Sequence, residues 1–250
     1  MVHKSMTAVI SDIHGNRWAL KAVLKDIQTR NISKIVNLGD CLYGPLDPAG
    51  TADILIDRKI PTVCGNEDRI IFEKNDRHNS KTLDYVRKSI SKDHIEWLAT
   101  LPFSSEAFKD FFLFHGSPES DSEYLLLSVQ KTSLTLRDSK TLKAKLNGIK
   151  YKVILCGHDH TPNVVLLDDG RIIVNPGSAG LQAYTDDYPY PHIIETGSPH
   201  ARYSVIYCKN GDYSIENILI PYDWEMASET AARNGRDDWA HWIKTGRARY

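Results

Sequence analysis

Excess charge is the first thing this chain lacks: 31 Lys and Arg stand against 32 Asp and Glu, a formal net charge of -1 over 250 residues. Such a balance gives no global field for DNA or an anionic membrane, so any affinity for anions has to come from a local patch or a bound metal. Cysteine is scarce too. Cys41, Cys64, Cys156 and Cys208 form no C-x-x-C pair, which argues against a structural zinc cluster and predicts reduced, buried thiols in a cytoplasmic protein. No apolar run approaches the roughly 18 residues a membrane helix needs, and the N-terminus carries no apolar signal core. Internal repeats, low-complexity tracts and linkers are also absent. With 41% hydrophobic and 25% charged residues in a chain of 250, a single domain over 1–250 is expected.

What is present is a repeated grammar of short apolar strands that end in polar residues. Thr7–Ser11, Lys34–Leu38 and Ile60–Cys64 read as strands, separated by helices over Trp18–Thr29 and Asp47–Arg58. Asp47-Pro48 supplies a cap and a first-turn proline for the second helix. Strands joined by single helices predict parallel units whose ligands lie beyond the carboxyl ends of the strands. Residues 66–100 read as helical, with Pro102 ending them, and one more helix is expected near Thr132–Leu146. The strands Phe111–His115, Tyr151–Cys156, Asn163–Leu167, Arg171–Asn175, Tyr203–Lys209 and Tyr213–Ile220 are predicted beyond them. Asp168-Asp169-Gly170 and Asn210-Gly211-Asp212 are hairpin signals. A final amphipathic helix over 223–246 turns Trp224, Ala227 and Ala231, with Trp239 and Trp242, inward to cover a sheet edge or face. The whole predicts α/β architecture, two packed sheets with helices outside.

The strand ends collect Asp12, His14, Asp40, Asn66, His115, His158 and His160. Asp12 and His14 are two apart, as are His158 and His160, so in extended backbone each pair shares a side. Neighbouring glycines (Gly15, Gly39, Gly65, Gly116 and Gly157) allow the chain to turn tightly under a ligand. Mixed imidazole and carboxylate donors suit Mn, Fe, Zn or Co better than Mg or Ca. Seven donors are too many for one tetrahedral ion and about right for two ions sharing a bridge.

In order, Asp12-Ile13-His14, Gly39-Asp40, Gly65-Asn66, His115-Gly116 and Gly157-His158-Asp159-His160 resemble the five motifs of the calcineurin-like metallophosphoesterases. Asn175-Pro176-Gly177-Ser178, Gly39-Asp40-Cys41-Leu42-Tyr43-Gly44-Pro45 and His115-Gly116-Ser117-Pro118 are similar to the bacterial and archaeal phosphodiesterase branch. The resemblance implies a four-layer αββα sandwich, two mixed sheets flanked by helices, and a dinuclear centre. It implies one ion held by Asp12, His14, Asp40 and His160. A second would be held by Asp40, Asn66, His115 and His158, with Asp40 as the bridge. Two divalent transition metals (Mn, Fe or Zn; Ni or Co in vitro) are therefore expected.

The expected activity is hydrolysis of a small phosphodiester or nucleotide by a bridging hydroxide, with no side-chain nucleophile. A phosphomonoesterase, a dinucleoside polyphosphate hydrolase, and a scaffold of weak catalytic power on the same fold are the alternatives. No membrane partner is expected, and the balanced charge argues against nucleic acid. Position 67 departs from the pattern: the resemblance implies a histidine that protonates the leaving group or holds the phosphate, and Glu67 stands there. A carboxylate beside two cations is expected to have a depressed pKa and to donate protons poorly. His192 and His200, in a Pro-rich stretch, are substitute donors, and Arg69 and Arg87 are candidate phosphate binders.

Overall fold

Lys4–Ile10 forms strand β1 because its small and β-branched side chains serve two cores at once. Ala8 and Ile10 enter a layer beneath helices, while Val9 points the other way into a layer between sheets. A slip of one residue would exchange these faces, so the two cores pin the register. The computed structural model describes residues 4–73 and 80–248.

Asn16 caps α1 (Arg17–Thr29) by accepting from Ala19 N, and Leu20, Val23, Leu24 and Ile27 form its buried stripe. The chain returns as β2 (Lys34–Asn37), parallel to β1. Asp47 accepts from Gly50 N and starts α2 (Pro48–Arg58), as its sequence signal predicts. The strand expected at Ile60–Cys64 is not formed: one parallel bridge, Asn37 to Thr62, holds this stretch to β2. Pro61 has no N–H to donate, and Cys64 N already turns to the Pro102 carbonyl. The helical segment divides into α3 (Asn66–Phe72), α4 (Lys81–Ser89) and α5 (Lys92–Thr100). Its residues 74–79 lie outside the described residues. Ser80 accepts from Leu83 N–H and Ser91 from His94 N–H, each in the first turn of the helix it restarts.

Beyond Pro102 come β3 (Ser104–Ala107) and β4 (Phe111–Phe114). The helix expected near Thr132–Leu146 is a helix only in its second half. Leu127–Val129 (β5) and Leu134–Leu136 (β6) form an exposed hairpin, and α6 (Ser139–Lys145) begins where Asp138 caps Thr141 N. The run Thr132-Ser133-Leu134-Thr135-Leu136 is rich in β-branched and hydroxyl residues that compete with helix. Next are β7 (Val153–Leu155), β8 (Asn163–Leu166) and β9 (Ile172–Asn175), then β10 (Ala183–Asp186) and β11 (His192–Glu195). The last strands are β12 (Ala201–Lys209) and β13 (Asp212–Ile220). The expected single C-terminal helix is two, α7 (Trp224–Arg233) and α8 (Asp237–Thr245), folded back at Asn234-Gly235, where Gly235 has φ +76.

One sheet runs β13-β12-β1-β2 and the other β3-β4-β7-β9-β8; both mix parallel and antiparallel pairs. Val9, Val36, Leu113, Leu155 and Val174 fill the space between them. On the far side of the second sheet, Phe114, Ile154 and Ile173 meet Leu142 and Leu146 of the α6 region. The order is therefore helices, sheet, sheet, helix. Each fully buried aliphatic side chain contributes about 1.5–3 kcal/mol. Carboxyl ends of β1, β2, β4 and β7 converge on one edge, and the polar stops sit there.

The C-terminal helices pack on the small β10–β11 sheet rather than on either large one. Trp239, Trp242, Ala227 and Ala231 are buried against Leu46, Leu181 and Ala183, beside the converging strand ends. No helix among the described residues is long and apolar enough to cross a membrane. All four cysteines are free, three of them buried.

Candidate metal centre

The seven strand-end residues come together, by a local geometry other than alternation along a strand. β1 stops at Ile10, and Asp12 and His14 have φ +54 and +53. Asp40, His158 and His160 share this left-handed backbone at φ +51, +73 and +56. Five residues with Cβ atoms in a region that normally favours glycine store about 1–3 kcal/mol of strain each, a cost tolerated where side chains must be aimed. Gly65 and Gly157 serve differently: neither has positive φ, but a Cβ on Gly65 would run into the Asp40 carboxylate and one on Gly157 into Ser11 Oγ and then the Asp12 carboxylate. Gly65→Ala should displace Asp40 and lower metal affinity by about 10–100-fold in a calorimetric titration; wild-type affinity would show that the close approach is dispensable.

Three imidazoles are oriented alike. His14 Nδ1 lies 2.9 Å from the Tyr43 carbonyl, His115 Nδ1 2.7 Å from that of Leu38, and His160 Nδ1 2.8 Å from that of Leu181. A proton on each Nδ1 leaves Nε2 as an inward lone pair, the arrangement in which imidazoles ligate metals. The Nε2 atoms of His14 and His160 are 3.0 Å apart; that of His115 is 3.1 Å from Asn66 Oδ1 and 3.2 Å from Asp40 Oδ2. Asp40 Oδ1 accepts the Glu67 backbone N–H at 2.9 Å, from the first turn of α3. Asp12 Oδ2 accepts His158 N–H at 3.2 Å, while its buried Oδ1 accepts no aligned hydrogen bond although His160 Nε2 is 3.3 Å away.

Donor atoms gather in three groups, Asp12 with His14 and His160, Asp40 with His115 and His158, and His14 with Asp40 and Glu67, each within 4.8 Å. An orphaned buried carboxylate oxygen, and imidazole Nε2 atoms 3.0–3.2 Å from other donor atoms, are what a cation would satisfy in place of the Nε2 protons of His14 and His115. The donor set of imidazoles, carboxylates and one amide fits a divalent transition metal.

Burial disfavours ionised Asp12 and Asp40, but the facing imidazoles outweigh it and hold both below the usual carboxylate range. Against its own burial, His115 is pushed up to about 10, chiefly by Asp40. Burial, helped by His115, lowers His158 to about 4, and burial also lowers His160, so these two stand neutral. Glu67 is set by burial on one side and by His14 on the other. Burial pushes it up to about 7, opposed by His14, whose Nδ1 is 3.0 Å from Glu67 Oε2; 26% of the side chain still meets water.

A model of the calcineurin-like phosphoesterase superfamily domain matches residues 6–195, more than half of the chain and all seven converging residues. The chain belongs to that superfamily. An uncharacterised protein of Methanocaldococcus jannaschii is 28% identical over 94% of this chain and 96% of its own length. The crystal structure of a metallophosphoesterase from Sphaerobacter thermophilus is 20% identical, covers 96% of this chain and 99% of its own, and superposes with a TM-score of 0.75. The fold is accordingly that of the calcineurin-like phosphoesterases, and the chain is a metal-binding hydrolase of phosphoesters by family.

In this superfamily member a cavity of about 300 Å³ opens onto the donors, walled by Tyr43, Tyr124, Tyr184, Trp239, Trp242 and Arg236. Tyr43 lies in one of the sequence motifs and helix periodicity turns Trp239 and Trp242 inward, but Tyr124, Tyr184 and Arg236, from three separate segments, carry no such signal. Arg236 lies over the Trp239 ring at 5.4 Å, is 2.7 Å from Asp238, and donates to Thr82. Sequence-based phosphate candidates fare differently. Arg69 is spent on Asp121 (2.6 Å) and Glu73 (3.0 Å), and Arg87 binds the carbonyls at the end of α3. His200 sits against Ser198 and Trp224, away from the cavity wall. His192 reaches it only through Tyr124.

Proposed function

We propose that the protein hydrolyses small phosphodiesters, nucleotide esters included, at this site with two divalent transition-metal ions (Mn, Fe or Zn). The observation that carries this reading is the inward convergence of three Nε2 atoms whose Nδ1 atoms are tied to backbone carbonyls. When bound, such ions polarise a phosphoryl oxygen and make the attacking water acidic. Asp12, His14, Asp40 and His160 would hold one ion and Asp40, Asn66, His115 and His158 the other, the Asp40 carboxylate lying in both groups. The left-handed backbone at five of the donors keeps their side chains from relaxing away from that arrangement.

The cavity wall supports a diester over a monoester. Arg236 is the sole Lys or Arg among its described lining residues, and it is already neutralised by Asp238, while Asp40, Glu67 and Asp186 line the same space. A diester brings one negative charge to that environment and a monoester or polyphosphate brings more. A cavity near 300 Å³ is at the small end of ligand sites and suits a free small ester better than nucleic acid. We place the activity in the cytoplasm, with no membrane partner. The test is turnover of bis-(p-nitrophenyl) phosphate by Mn²⁺-loaded protein. Activity that chelator removes supports the reading; metal bound with no turnover of any mono- or diester favours a binding scaffold instead.

A further inference from the structure

Glu67 stands where the resemblance implies a histidine acid, and an unbroken line of polar contacts enters the cavity from another side. Tyr184 of β10 and Tyr124, from the chain after β4, both line the cavity. Their rings flank the donor histidines, Tyr184 edge-on to His160 at 4.6 Å and Tyr124 tilted against His158 at 4.9 Å. The two hydroxyls are 2.6 Å apart, and Tyr124 Oη is 3.0 Å from His192 Nε2 on the paired strand β11. His192 Nδ1 is held 2.8 Å from the Tyr190 carbonyl, and Tyr184 Oη also reaches the His158 carbonyl at 3.3 Å. His192 is half-buried, so the outer end of the line meets solvent.

We propose that Tyr184 protonates the departing alcohol and is resupplied through Tyr124 by His192. The inference rests on the hydrolase reading and assigns the proton that reading leaves unplaced. As the P–O bond to the leaving group breaks, its electron pair stays on the departing oxygen, which takes the Tyr184 hydroxyl proton. The Tyr124 proton moves to the Tyr184 oxygen, and the Nε2 proton of His192 in its imidazolium form, the form that donates to Tyr124, to the Tyr124 oxygen. Solvent then reprotonates His192, so no phenolate persists. The hydrogen bonds allow both directions of polarity: a neutral His192, with Nδ1–H on Tyr190, accepts from Tyr124, whereas a protonated one donates to it.

The decisive measurement compares the p-nitrophenyl and the ethyl ester of thymidine 5′-phosphate in Mn²⁺-loaded wild type, Tyr184→Phe, Tyr124→Phe and His192→Gln. A good leaving group departs without a proton and an alkoxide does not. The loss of kcat/KM in Tyr184→Phe should therefore be about 10²-fold larger on the ethyl ester than on the p-nitrophenyl ester. Tyr124→Phe and His192→Gln should show the same bias, with metal content equal to wild type. Equal losses on both esters, as from a merely structural hydroxyl, would overturn the proposal, and so would a wild type that cleaves only the p-nitrophenyl ester. A protein that cleaves neither refutes the hydrolase reading first. The line of contacts is then tested by the imidazole NMR signals of His192, which must move in Tyr124→Phe.

Discussion

Asp40→Asn should lose metal-dependent turnover, on the order of 10³-fold or more in kcat, while keeping its fold. The asparagine fits the same space, and its Oδ1 can still accept the Glu67 backbone N–H that Asp40 accepts at 2.9 Å. What changes is the other end. In place of an anionic oxygen 3.2 Å from His115 Nε2, the variant presents either an N–H donor or a neutral oxygen. The only group shared by the His115–His158 and His14–Glu67 clusters then has no charge with which to offset two cations. Metal-induced stabilisation gives a second readout. A ligand at a hundred times its dissociation constant raises unfolding free energy by about 2.7 kcal/mol, and the rise in Tm that Mn²⁺ gives the wild type should largely vanish in the variant. An unaltered circular dichroism spectrum with retained Mn²⁺-dependent turnover would refute the assignment of Asp40 as the shared donor.

The donors were legible in the sequence because each lies at a local event, a short apolar strand that stops. The reason they converge was not. Alternation in an extended strand would pair Asp12 with His14, yet both lie past the end of β1 in left-handed turns. The same strand-end pattern points to the right residues because the turn, like the strand, is a short-range property. Local caps and hairpins were equally readable: Asp47 before α2, Asn210-Gly211 between β12 and β13, and Asp168-Asp169-Gly170 between β8 and β9. Errors fell where a distant partner decides. Thr62 has the strand-like neighbours expected of it but only one bridge to β2, and the β-branched run at 132–136 pairs with β5 instead of joining α6. Tyr124, Tyr184 and Arg236 carry no motif at all. They become wall residues when the β10–β11 hairpin and the α7–α8 pair close over the strand ends, a tertiary fact with no short-range signature.

Glu67→Gln should change the proton balance of metal binding, because Glu67 is what keeps a proton on His14. Burial alone favours neutral imidazole there, but the Glu67 carboxylate 3.0 Å from Nδ1 overcomes it and raises His14 to about 9. A metal ion binds only the deprotonated Nε2, so below about pH 9 the wild type has to release that proton on binding. The sign follows: the logarithm of its association constant climbs with pH, by one unit per pH unit for each proton displaced, until the imidazole is already neutral. With glutamine at 67 the largest influence raising His14 is gone and only Asp40 and Asp12 oppose burial, so the proton leaves at lower pH. Between neutrality and about pH 9 the slope should therefore fall by about one. At the alkaline end, where neither protein has a His14 proton to lose, the ordering is set by the ligand itself. There the carboxylate behind Nδ1 makes the wild-type imidazole the stronger donor, and the variant should bind about 10–100-fold more weakly. Calorimetric titration with Mn²⁺ in two buffers of different ionisation enthalpy counts the protons directly. Equal proton release by both proteins would mean that Asp40 and Asp12, which also raise His14, hold its proton and that Glu67 acts elsewhere.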